Sequence, residues 1–532
     1  MVVEIGFVGL MVVSAVVAMA VRRLRLPYTI ALVFAGLLLG ALRPEGEHWE
    51  AFYSIHLEPE VLFAIFLPAL LYEAAFHIDL GDLSANWKSI AILAVPGVLV
   101  GAGVCGLVTW VGLDTADVAL SLVGALMFGA LICATDPIAV IAMLGKLGVS
   151  KRLRTLLEGE SLFNDGTAVV VFGAVAALAG AAHHGGDLIS AAWIARLFIW
   201  EVGIGFVVGL SVGIAHFWLT SHIDDHLIEI TLTTVAAFGS YLISDALHAS
   251  GVIAVVTAGL MAGNFGKRHG MSPSTRVALI SFWEYVTFVA NSLVFLLIGL
   301  EIDLSRLWDH ALIIVLAWVA TVLGRAVTLL VAVPLLSRTR ERMPTSWAVV
   351  IWWGGLHGAL SMVLAMSLPI SYAHRGLIID LTFGTVLLSI VVQGLTVGPL
   401  VRLLKLASSL AEHRRFALLT AKFQAVGAAL REIRSQRASH QLSSKVAEAL
   451  EDDLEDKLID LESERDTLRR QSRSIESAER RQTLEHLIIV QKDALHECYA
   501  SGIIDEESMR ELVGELDFEL NALEESAHDE EE

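Results

Sequence analysis

Apolar runs of about 20 residues recur along this chain, separated by short polar segments. A run of that length lets a helix rising 1.5 Å per residue cross the hydrocarbon core of a bilayer. The pattern predicts spans near 3–21, 27–42, 59–77, 89–110, 117–145, 157–181, 192–219, 227–247, 250–265, 280–300, 309–335, 345–370 and 378–404. That makes about thirteen helices in an all-α polytopic membrane protein. Two of the spans, 27–42 and 250–265, are short for a full crossing. The first run lacks a basic segment before it and a small-residue cleavage site after it, so it reads as a membrane helix rather than a cleaved signal peptide.

The pattern changes after residue 404, which divides the chain into a membrane domain, 1–404, and a polar tail, 405–532. In the tail Leu454, Leu461, Leu468 and Ile475 recur every seven residues. The other half of the heptad seam carries Arg465 and Ser472, so only half of it is apolar. This predicts an amphipathic helix packed on its own tail, with a short dimerising coiled coil as the alternative. The tail reads as a helical, acidic, cytoplasmic segment for regulation or dimerisation. Glu524–Glu532 reads as a disordered acidic end.

Composition agrees with the membrane reading. Hydrophobic residues make up 55% of the 532 positions and charged residues 18%, against about a quarter charged in soluble proteins. The formal charge of −20 is uneven: the tail holds 17 basic and 30 acidic residues, which leaves −7 for the longer membrane part. No basic stripe is present outside short loops, which argues against nucleic-acid binding. Cys105, Cys133 and Cys498 are too far apart in sequence to suggest a disulfide framework or a zinc site. There is no glycine-rich phosphate loop, and the histidines lack metal-ligand spacing. The chain therefore reads as a non-enzyme with no cofactor.

Loop charges set the expected orientation. Basic clusters follow the first span (Arg22, Arg23, Arg25), the fifth (Lys146, Lys151, Arg152, Arg154) and the ninth (Lys267, Arg268, Arg276). They recur after the eleventh (Arg338, Arg340, Arg342) and the thirteenth (Arg402, Lys405). Loops at even-numbered ends are acidic or neutral, as in Glu45–Glu58 and Glu301–Asp309. Asp79–Asp82 and Asp224–Asp225 run against the trend. The positive-inside rule then places the N-terminus outside and the C-terminus in the cytoplasm.

Acids within apolar runs mark the chemistry, because a charge in hydrocarbon is costly and usually serves an ion or proton path. Asp136 precedes the basic loop 146–156 by about nine residues, and Asp165 follows its end by about eight. Both should lie roughly 12–14 Å deep, near the midplane. Asp136 stands in Ala134-Thr135-Asp136-Pro137. Proline disfavours helix at the residue before it and removes a backbone donor. The fifth span should therefore be two half-helices with an unwound joint at Thr135–Asp136. Irregular backbone at that depth is tolerated where it lines a cavity, and its free carbonyls suit a cation. On the sixth span Glu160 and Asn164 share one face, and Ser161 and Asp165 share another. Thr135, Ser161, Asn164 and Asp165 are hard oxygen donors suited to an alkali cation. If the midplane carboxylate holds either a proton or a cation, exchange follows from competition.

Two later segments extend the site. Trp353-Gly354-Gly355-Leu356-His357-Gly358-Ala359 places three glycines around one ionisable residue and predicts a second broken helix. Arg325 stands in apolar surroundings and needs an anionic partner, for which Glu160 is the candidate. That assignment makes Glu160 structural and leaves Asp165 free. Asp245 and His248 read as an interfacial cap, Glu73 as a packing or gating partner near a helix end, and His183 and His184 as loop residues.

The run Ala134–Pro137 together with Gly159-Glu160-Ser161-Leu162-Phe163-Asn164-Asp165-Gly166 resembles the NhaP/NHE branch of monovalent cation:proton antiporters. So do Phe66-Leu67-Pro68-Ala69-Leu70-Leu71-Tyr72-Glu73 and Gly354–Ala359. The resemblance covers roughly residues 5–404 and stops at the tail. It implies an inverted-repeat fold of thirteen helices with crossed broken helices, a homodimer, and an elevator-like motion in the cell membrane. It also implies exchange of Na+ (or Li+) for H+, with Asp165 as carrier and Thr135, Asp136 and Ser161 completing the site. Glu160 and Arg325 would brace that site. Asn164, where electrogenic relatives have a second Asp, implies electroneutral one-for-one exchange. His357 stands where the family commonly has Arg, which predicts a pH-sensitive charge at the crossing. A K+/H+ exchanger uses the same ligand types and is the alternative. A membrane sensor signalling through the tail is a further one.

Overall fold

The computed structural model describes residues 2–24, 28–42, 61–183, 191–221, 223, 225–266, 273–302, 304–339, 341–406, 410–439 and 441–471, with scattered positions between 483 and 516. Expectations for Arg25, Glu45–Glu58, His184, Asp224, Lys267, Arg268, Arg340, Ile475 and Glu524–Glu532 fall outside these residues. The chain forms two compact units, Met1–Leu406 and Ala407–Glu532.

The described residues of the first unit are helical, with no strand among them. Seven stretches are long and apolar enough to cross a membrane: Trp87–Thr115, Lys151–Gly180, Arg196–Thr220, His226–Ala246, Thr275–Glu301, Ala311–Leu336 and Arg375–Leu403. Shorter apolar helices include Tyr28–Leu42 and Gly251–Phe265, the two positions whose apolar runs are short in sequence. Several long helices are irregular for identifiable reasons. Pro96 breaks Trp87–Ala94 from Pro96–Thr115 at Val95, as the missing N–H and the ring demand. Ser389–Gln393 is a π-turn between Arg375–Leu388 and Gly394–Leu403, a local widening that recurs at functional sites.

Two spans are each built from two half-helices. Leu122–Ile132 starts at Ser121, whose hydroxyl accepts the Gly124 N–H, and gives way at Cys133. Helix resumes at Ile138–Leu147 and ends on Gly148 at φ 77°, a left-handed position that glycine adopts without a Cβ penalty. The second pair is Thr345–Trp353 and Ala359–Met366, with Gly354–Gly358 between them. Close packing seats the first half-helix: a Cβ added to Gly106 would lie 2.9 Å from the Cα of Leu126.

One boundary differs from the hydropathy pattern. The helix carrying Glu160 and Asp165 runs Lys151–His183, so it starts six residues before the apolar run. Lys151, Arg152 and Arg154 lie on its first turns and not in a loop. Side-chain anchors hold this polar start. Lys151 Nζ pairs with Asp82 at 2.5 Å, and Arg152 Nε donates to Asn86 Oδ1 at 2.8 Å. Arg152 also lies over the Trp347 ring at 5.5 Å.

Within the described part of the tail, Leu410–Ala438 and Ser444–Gln471 form a hairpin. Arg415–Glu464, Arg434–Glu455 and Arg437–Glu451 pair across it. Leu454 and Leu461 are half-buried and Leu468 is buried. Arg465 stacks on Phe423 at 4.8 Å.

Candidate ion site

The two breaks meet. The Asp136 N–H donates to the Leu356 carbonyl at 2.7 Å, joining one unwound segment to the other. Gly358 must be small here, since a Cβ would stand 2.7 Å from Asp136 Oδ2. The Asp136 carboxylate accepts the Ile138 N–H at 3.0 Å, satisfying a free donor at the start of the next half-helix. His357 is buried. Its backbone N–H donates to Ser389 Oγ at 3.2 Å, and its ring Nδ1 is 3.3 Å from the Ala134 carbonyl. Ser361 Oγ donates to the same carbonyl at 3.4 Å.

The Lys151–His183 helix grips the first break through two side chains one turn apart in sequence. Ser161 Oγ donates to the Thr135 carbonyl at 2.6 Å, and Asn164 Nδ2 donates to Thr135 Oγ1 at 2.7 Å. All three residues are buried. Asn164 Oδ1 is buried with no hydrogen-bond partner among the described residues. A buried acceptor left this way costs about 1–3 kcal/mol unless something supplies it. Asp165 follows directly and is half-buried. Among the described residues no hydrogen bond or ion pair holds its carboxylate. Thr135, Ser161, Asn164 and Asp165 thus gather around one break, with Asp136 in the same segment. Their donor set is oxygen only. No cluster of three or more His, Cys, Asp or Glu side chains spaced for a metal is found among the described residues.

Glu160 lines the same cavity as Thr135 and Asn164, but its carboxylate is taken by an arginine. Arg325 Nη2 donates to Glu160 Oε2 at 2.9 Å, and the two side chains are 14% and 6% exposed. Arg325 Nε donates to the Ile351 carbonyl at 2.9 Å. The guanidinium also lies against Gly355, where a Cβ would meet Arg325 Cζ at 2.6 Å. One side chain therefore ties the Glu160 helix to the second break.

Other polar residues are placed elsewhere. Glu73 pairs with His77 at 3.3 Å. Asp245 and His248 are exposed near the end of His226–Ala246. Asp380 is a buried acid outside the candidate set; it binds Arg306 Nη2 at 2.9 Å and His310 Nδ1 at 3.2 Å. Its place in the apolar run Leu377–Phe383 was the available signal. Glu341 is another such acid. It accepts the Lys88 and Ser89 N–H groups at 3.3 and 2.8 Å, and nothing in its local sequence marks that role.

An all-helical membrane unit with two broken helices crossing beside a midspan acid has the architecture of an ion-coupled antiporter. The family model "Sodium/hydrogen exchanger, transmembrane" matches residues 10–403, and the chain belongs to that family. It is 38% identical over 424 residues to the Na+/H+ antiporter ApNhaP of Aphanothece halophytica, covering 79% of this chain and 78% of that protein. It is 38% identical over 395 residues to the Na+/H+ antiporter NhaP of Pseudomonas aeruginosa, covering 72% of this chain and 92% of that protein. The solved structure of the sodium proton antiporter MjNhaP1 from Methanocaldococcus jannaschii at pH 8 shares the fold, with a TM-score of 0.62 at 22% identity. The match covers 77% of this chain and 100% of that one.

Proposed function

We propose that this chain is a secondary-active antiporter that exchanges Na+ (or Li+) for H+, one for one. The reading rests above all on the double grip of Ser161 and Asn164 on Thr135. That grip brings oxygen donors of the first break beside Asp165, whose carboxylate has no internal partner among the described residues. A carboxylate in hydrocarbon is stable when neutralised by a proton or by a cation. Protonated, Asp165 has no charge to hold Na+. Deprotonated, it binds Na+ with Ser161 Oγ and Thr135 as further ligands. Asn164 Oδ1 supplies another oxygen and no charge, so one Na+ replaces one H+ and no net charge crosses. Asp136 contributes negative charge at the same break, and Glu160–Arg325 braces the frame.

Alternating access then follows from movement of the crossing and its surrounding helices relative to the rest of the unit, in a homodimer. The protein works in the cell membrane with its N-terminus outside and C-terminus inside. Residues 405–532 form a cytoplasmic regulatory or dimerisation tail. His357, against the Ala134 carbonyl at the end of one half-helix, carries a charge there only when protonated.

The test is proteoliposome pH recording with Na+, Li+ and K+, with and without an imposed voltage. Na+ and Li+ should drive proton movement that voltage leaves unchanged, and Asp165→Asn should abolish it with expression intact. Retained exchange in Asp165→Asn would refute the carrier role. Voltage-driven exchange would refute the one-for-one ratio, and exchange with K+ alone would refute the Na+ assignment.

A further inference from the structure

We propose that Cys105 and Cys133 form a binding site for a single thiophilic metal ion of the Hg2+ type, directly behind the ion site. The chain has three cysteines, and these two line one cavity of about 30 Å³. Thr135, Asn164, Glu160 and Arg325 also form its wall, while Asp136 and Asp165 do not. The exchange described above uses neither thiol.

The geometry brings both sulfurs to one place. Cys105 is buried on Pro96–Thr115, with its Sγ 3.6 Å from Thr321 Oγ1. Cys133 ends the half-helix Leu122–Ile132, and a Cβ on Gly101 would lie 3.5 Å from its Sγ. Gly101 is four residues from Cys105 on the same helix, a rise of about 6 Å. At the zinc–thiolate length of about 2.3 Å, two such bonds span about 4.6 Å. A volume near 30 Å³ takes one atom-sized guest. Cys133 is half-buried.

The chemistry favours a soft divalent ion. Two thiols release two protons as they bind Hg2+, and the S–Hg–S unit is neutral. The buried space therefore gains no net charge, which removes the largest penalty of placing an ion there. Na+ is hard and has no preference for sulfur, so the site does not compete directly for the transported cation. Its effect comes through the backbone. A bridge would pin Cys133 to Pro96–Thr115, and two residues further on is Thr135, which Ser161 and Asn164 must hold for exchange.

The test uses the full chain in a Cys498→Ser background with HgCl2. The background protein should retain one mercury per chain after an EDTA wash, counted by elemental mass spectrometry, and should lose Na+-driven proton movement. Cys105→Ser and Cys133→Ser should each raise the half-inhibitory Hg2+ concentration by about 100-fold or more, since loss of one arm removes the bidentate gain. Cys→Ala substitutions at the same positions check that the hydroxyl is not the cause. Full sensitivity in either single variant, or one mercury still bound in the double variant, overturns the proposal. The mercury count needs no transport, so it stands apart from the proposed exchange, which mercury-free recordings test.

Discussion

Arg325→Ala removes one partner of a buried ion pair and one clamp on the second break, and its cost can be worked from the geometry. At 2.9 Å and an effective dielectric constant near 20, the Coulomb attraction is about 6 kcal/mol. Desolvation offsets much of that in the intact pair. Deleting one member leaves the other buried without compensation, which costs about 3–5 kcal/mol. Arg325→Ala should therefore lower the thermal unfolding midpoint more than Glu160→Gln does. The amide introduced by Glu160→Gln is neutral, and Arg325 would keep the Ile351 carbonyl. The double variant Glu160→Gln/Arg325→Ala carries no stranded charge. It should be more stable than Arg325→Ala alone, by about 1–3 kcal/mol of coupling. Arg325→Lys should rescue only in part, because an ammonium lacks the planar fork that reaches Glu160 and Ile351 together. The assay is thermal unfolding of purified protein in detergent, followed by fluorescence, for the four corners of the cycle. Additive destabilisation in the double variant would refute the reading, because independent losses mean the two side chains are not coupled.

Ser161→Ala removes the donor to the Thr135 carbonyl and should raise the Na+ concentration for half-maximal exchange about tenfold, for a loss of about 1.4 kcal/mol; an unchanged Na+ dependence in flux assays counts against the grip on Thr135. Glu341→Ala strands the Lys88 and Ser89 N–H groups and should cost about 1–3 kcal/mol, seen as a lower unfolding midpoint with an unaltered Na+ dependence. His357→Arg fixes a charge at the crossing and should move the pH profile of exchange; an unmoved profile removes His357 from the pH response. Truncation after residue 405 should leave exchange intact with altered regulation, whereas loss of all exchange in a well-folded truncated protein would assign the tail an essential part.

Some of this architecture is local physics and can be read directly from the chain. An apolar run of about 20 residues has few alternatives to spanning a bilayer as a helix, because backbone polar groups in hydrocarbon must bond internally. Breaks at Thr135–Asp136 and Gly354–Gly358 follow from proline, glycine and acid chemistry at those positions, without knowledge of the neighbours. Helix ends were less legible. The start at Lys151 lies in charged sequence, where hydropathy carries no signal, and it is held by Asp82 and Asn86 from another segment.

The apolar neighbourhood of Arg325 shows from sequence that it needs an anion. Its second bond, to the Ile351 carbonyl, does not show, because a backbone acceptor has no residue identity. The same holds for the Leu356 carbonyl that receives Asp136 N–H and the Thr135 carbonyl that receives Ser161. Asp380 was visible as an acid in an apolar run, but Arg306 and His310 lie some 70 residues away and carry no pattern that names it. Cys105 and Cys133 likewise look unrelated in sequence, and only packing brings both to one cavity. The sequence by itself determined the helices, the breaks and the kinds of atoms available to an ion, because these depend on neighbours within a few residues. The tertiary structure decided which of those atoms face one another, because that depends on close approach between segments remote along the chain.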